Sequence, residues 1–114
     1  MRRKVLLDTG PLVALLSAQD SHHGWAKSEI STVEKPFLSC EAVITEACFL
    51  LRRIHGGESA VLSLVDRGVI QIAFHLGAEA EVIAILMNRY GSVPMSLADA
   101  CLVRMSEIYE DSAV

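Results

Sequence analysis

The chain has 114 residues, 52% of them hydrophobic and 21% charged, with a formal net charge of −4. That length and apolar content give one domain with a real core and exclude a disordered chain, while the acidic balance excludes binding of nucleic acid through a basic surface alone. No apolar run reaches the ~18 residues of a membrane helix, because Asp8, Glu41, Glu46 and Arg52 interrupt the best candidates.

The basic start MRRK is followed by an apolar stretch, but Asp8 falls inside it and no small-residue cleavage pattern follows, so it is not read as a leader. Instead KVLL, short and wholly apolar after its lysine, predicts a strand covered on both faces. Pro11 suits a first helical position, and Leu12, Leu15 and Leu16 form a helical stripe behind it. SHHGWAKSEIST predicts a second, weaker helix opened by Ser21, with His22 and His23 on the surface and Trp25 in packing. PFLSC predicts the second strand.

From Glu41 to Ile54 the period is helical, with Val43, Ala47, Leu50 and Ile54 on one stripe and Gly56-Gly57 as the stop. At its end, Arg52 and Arg53 complement the helix dipole. ESAVLSLVDR predicts a further helix, halted by Gly68, and VIQIAF the third strand. A helix follows between Gly77 and Gly91, and Ser96 opens a last one to about Tyr109. Asp111-Ser112 then reads as a turn and Ala113-Val114 as the opening of another strand, so the chain is expected to stop within an element. This alternation of strands and helices predicts a parallel α/β sheet in one domain over 1–114. Cys40, Cys48 and Cys101 lack metal or disulfide spacing and read as reduced core thiols of a cytoplasmic protein.

Three carboxylates carry the chemistry. Asp8 ends the first strand, where parallel α/β folds bind ligands, though an Asp there also caps the helix that Pro11 opens. Glu46 has Ala42, Val43, Phe49 and Leu50 at its helical neighbours and therefore no local cation. At the edge of an apolar stripe it is expected to be half-buried and to need a partner from elsewhere, the alternative being an edge Glu that snorkels to water. Asp99 follows Ser96 at capping-box spacing, and apart from Ser96 its other helical neighbours are apolar. Converging carboxylates repel one another unless a hard cation such as Mg²⁺ or Mn²⁺ lies between them, and such sites commonly hydrolyse phosphodiesters. Glu41 is the spare carboxylate and serves the helix dipole.

Taken in order, VLLDTGPLVALL, CEAVITEACFLLRR and PMSLADACLVRMS resemble the PIN-domain ribonucleases, in particular the VapC-type toxins of bacterial toxin–antitoxin pairs. The resemblance spans nearly the whole chain. It implies a three-layer α/β/α sandwich around a central parallel sheet, with Asp8, Glu46 and Asp99 as Mg²⁺ or Mn²⁺ ligands and Thr9 supporting the site through its hydroxyl. It also implies endonucleolytic cleavage of RNA by metal-activated water, a homodimer, and a small antitoxin that covers the groove. The family's fourth acidic position follows the next strand and would lie beyond Val114, since Glu110 and Asp111 come too early. Weak metal binding and little nuclease activity are therefore expected of these 114 residues.

Three rival readings follow from the same residues. An aspartic protease needs Asp-Thr-Gly in an all-β scaffold, against the helical periods here. A phosphatase of the Asp-x-Asp type needs a carboxylate where Gly10 stands. A non-catalytic binding or regulatory module with the same fold, acting through dimer or antitoxin contacts, is the runner-up.

Overall fold

The computed structural model describes residues 4–89, 91–93, 95–109 and 112–113. The first strand, β1 (Lys4–Val5), continues into a parallel bridge between Leu6 and Leu38. Helix α1 (Thr9–Leu16) starts directly behind it: Asp8 is in extended backbone, and its Oδ1 accepts the Thr9 N–H at 2.6 Å. Helix α2 (His23–Thr32) begins without a side-chain cap. Ser21, the expected start, has its hydroxyl against His22 Nδ1 at 3.2 Å, and Asp20 accepts the His22 N–H at 2.8 Å instead. His23 Nδ1 donates to the Ala14 carbonyl at 2.8 Å, tying α2 to α1.

Strand β2 (Phe37–Ser39) is buried along its length, as the apolar run requires. Helix α3 (Glu41–Leu50) buries Val43 and Ala47 but ends short of the expected Ile54. The cause lies in the turn that follows. Gly56 takes a left-handed φ of 73°, and Gly57 packs so tightly that a Cβ there would lie 2.6 Å from the Leu51 carbonyl oxygen. The chain thus folds back at Leu51, about one turn early, and enters α4 (Gly57–Asp66) one residue before the expected Glu58. Beyond Gly68, also left-handed at φ 78°, come β3 (Ile70–Ile72), α5 (Leu76–Arg89), α6 (Leu97–Ile108) and β4 (Ser112–Ala113). Glu110, Asp111 and Val114 lie outside the described residues; a further strand is present but already includes Ser112, expected in the turn before it.

All strand pairs are parallel: β1 with β4, β2 with β3, and β1 with β2 through the Leu6–Leu38 bridge, giving the order β3-β2-β1-β4. The core lies on this sheet, with Leu6, Leu12, Phe37, Leu38, Val43 and Met105 essentially sealed from solvent. The α5–α6 pair is tied by Arg104, whose Nε donates to Glu79 at 3.0 Å.

The β1–β2 seam is reinforced by side chain as well as backbone. Leu7 N–H donates to the Leu38 carbonyl at 2.8 Å, and the fully buried Ser39 hydroxyl donates to the Leu7 carbonyl at 3.0 Å. Ser39→Ala removes a donor from a buried carbonyl and should lower the unfolding free energy by about 1–3 kcal/mol, measured as a fall in urea midpoint at constant slope.

Candidate active site

Asp8 and Thr9 mark the carboxyl end of β1. Asp8 leaves β1 there, half-buried, with Oδ1 committed to the α1 cap and Oδ2 outside that bond. Beside it Thr9 is buried, and its Oγ1 has no hydrogen-bond partner among the described residues. A buried hydroxyl left without a partner is costly and points to a polar group bound nearby. Cys40 leaves β2 next to Asp8 as the N-cap of α3, close enough for the Asp8 charge to act on its thiol. Burial is the larger cause that raises the Cys40 pKa, and the carboxylate adds to it. Cys101 of α6 completes the cluster, its thiol close enough to that of Cys40 for each to act on the other. Burial, with Cys40 beside it, pushes Cys101 up to about 11. Both thiols are free and buried, as expected of reduced core cysteines.

Asp99 stands in the first turn of α6 and performs the cap its spacing predicts. Its N–H donates to Ser96 Oγ at 3.0 Å, and its Oδ2 accepts the Ser96 N–H at 3.2 Å. Glu46 differs from expectation. It is exposed, and the Leu50 and Phe49 beside it are 52% and 59% exposed. Two of its apolar neighbours thus lie outside the core, so the carboxylate is solvated and desolvation does not force a partner on it. Trp25, expected in packing, is 60% exposed. Arg52 takes the helix-end role foreseen for it, donating to the Phe49 carbonyl at 2.6 Å with its guanidinium 3.9 Å from the Phe49 ring centroid.

Among the described residues, no group of three or more His, Cys, Asp or Glu side chains is placed to hold one ion. A dry cage of three carboxylates is therefore not preformed. The donor set does fit Mg²⁺ or Mn²⁺, hard ions held by one or two carboxylates with water completing the shell. Asp8 and Asp99 each keep one oxygen outside its cap, and the orphaned Thr9 hydroxyl adds a hard oxygen next to Asp8.

Two cavities flank this edge and the opposite one. A cavity of about 210 Å³ is lined by Cys40, Glu41, Thr45, Phe74, Leu97 and Cys101 among others. A larger one, about 320 Å³, has walls that include Ile30, Phe37 and Leu64, with Lys27, Lys35 and Arg67 around them. Sequence reasoning missed Ser39 and the Cys40–Cys101 pair as builders of the site. Their only signal was position, directly behind a strand and two residues behind Asp99.

No protein-family model and no curated protein matches the chain. Among solved structures, the crystal structure of VapC20 from Mycobacterium tuberculosis, a sarcin–ricin loop cleaving toxin, matches with a TM-score of 0.83 at 21% identity, covering 92% of this chain and 82% of that one. At that identity the likeness establishes architecture: the parallel α/β arrangement described above is the PIN-like fold of VapC20.

The buried thiols carry a pH signature. Because burial pushes the Cys101 thiol up to about 11 in the fold, above its ordinary 9.0, its neutral form stabilises the protein fully below the lower value and this contribution is lost as pH rises towards the upper one. The fall in Tm over that interval should be smaller for Cys101→Ala than for the wild type, each referred to its own Tm near neutral pH.

Proposed function

We propose that the protein is a Mg²⁺- or Mn²⁺-dependent endoribonuclease, the toxin of a toxin–antitoxin pair. One observation carries the reading: Asp8, at the carboxyl end of β1, stands beside a buried Thr9 hydroxyl with no protein partner, in the fold of a toxin that cleaves the sarcin–ricin loop. A divalent ion, when bound, supplies Lewis-acid charge and lowers the pKa of a water. Asp8 and Asp99 would hold the ion through their uncommitted oxygens, and Thr9 would fix the orientation of the nearer ligands through its hydroxyl. Glu46, exposed on α3, would be the third ligand in this reading.

Partner surfaces support the same assignment. Phe49, Leu50, Ile54 and Leu62 leave an exposed apolar patch across α3 and α4, suited to a second copy of the chain. The larger cavity, apolar with basic side chains around it, suits an apolar and acidic segment of an antitoxin. No helix of the described residues is long and apolar enough to cross a membrane. The rival reading, a non-catalytic module of the same fold, draws on the missing three-ligand cluster.

RNA cleavage by the purified protein should be weak, require Mn²⁺ at neutral pH and stop on addition of EDTA. Asp8→Asn and Asp99→Asn should each reduce cleavage by about a hundredfold or more. Calorimetric titration with Mn²⁺ should weaken in both. Growth inhibition that survives both substitutions sinks the nuclease reading in favour of the binding module. Phe49→Glu combined with Leu62→Glu should convert a dimer to monomers in light scattering while leaving the far-UV spectrum unchanged.

A further inference from the structure

The smaller cavity has a composition that the metal site does not explain. Its floor is sealed and apolar: Cys40 and Cys101 are 1% exposed and Phe74 4%. Its mouth carries two exposed leucines, Leu76 and Leu97, with the Glu41 carboxylate and the Thr45 hydroxyl beside them. Glu41 has no ion pair or side-chain hydrogen bond among the described residues. At about 210 Å³ the cavity lies below the ~300 Å³ at which sites for drug-sized ligands begin, a size that suits one nucleobase rather than a whole nucleotide.

Glu41, Leu76 and Leu97 are the first residues of α3, α5 and α6, so three helix N-termini face one mouth. Each carries the partial positive charge of a helix start, which favours a phosphate beside the opening. The cavity also adjoins the proposed metal site through shared elements. Cys40 stands next to Asp8, Thr45 precedes Glu46, and Leu97 lies two residues before Asp99.

We propose that this cavity is a base-recognition subsite, which takes one unstacked base of the RNA substrate and places the neighbouring phosphodiester at the metal edge. The inference rests on the ribonuclease reading above. Single-stranded RNA is read by apolar contact to splayed-out bases and hydrogen bonds to their edges. Leu76 and Leu97 grip the ring, and Glu41, an acceptor when ionised, takes a proton donor from the base edge. Cytosine, adenine and guanine all offer an amino group. Uracil offers none: its one edge donor, N3–H, lies between two carbonyl oxygens that face the carboxylate unfavourably.

The test uses fluorescence anisotropy with the Asp8→Asn protein and labelled single-stranded RNA homopolymers of the four bases. Uridine oligomers should bind weakest, by about tenfold relative to the best amino-bearing base. Adding Glu41→Gln, whose amide can both donate and accept, should remove most of that discrimination while overall affinity for the mixed pool changes little. Leu76→Trp, which fills the mouth, should lower affinity for every oligomer. Preferred binding of uridine oligomers, or discrimination untouched by Glu41→Gln, overturns the subsite and leaves the nuclease reading standing. Failure of every oligomer to bind overturns both.

Discussion

The site depends on the seam between β1 and β2. Two strands this short cannot hold register by ladder bonds alone, and the Leu6–Leu38 bridge supplies a single point of pairing. The Leu7 amide and the Ser39 hydroxyl extend that pairing to the last residue before Asp8. The carboxylate is thereby carried to the same level as Cys40, and the Cys40–Cys101 contact fixes α6 against the same edge. A one-residue slip of β1 would turn its side chains to the other face and remove Asp8 from the edge.

Asp8 and Asp99 share a second property. Both start a helix, and each uses one carboxylate oxygen to do so. In the proposed metal site the structural and chemical roles would therefore not be alternatives: the cap fixes the rotamer and leaves the remaining oxygen available. Holding a ligand in place before the ion arrives reduces the entropy lost on binding. Glu46 has no such anchor, and its exposure on α3 makes it the least organised of the three carboxylates.

Much of this was readable from residue order. The six helices and the parallel strands follow from periods, prolines and glycines, and the Ser96–Asp99 box was visible as spacing. The end of α3 was not, because it depends on Gly57 meeting the Leu51 carbonyl, an approach that only the folded chain creates. Nor was the exposure of Phe49 and Leu50 visible, since periodicity groups apolar residues on faces without saying which face meets a partner from the same chain. The smaller cavity was hidden for a related reason. Its walls come from α3, α5, α6 and the end of the β3 segment, which are distant in sequence.

The convergence of the α3, α5 and α6 starts on one mouth has a consequence for ionic strength. A polyanion held mainly by lysine and arginine releases condensed counterions, and its affinity falls steeply as salt rises. Helix ends offer partial charges fixed at short range within a partly enclosed space, where screening by mobile ions is weak. An acidic chain of net charge −4 that grips its substrate in this way would hold RNA with a shallow salt dependence, unlike a basic RNA-binding surface.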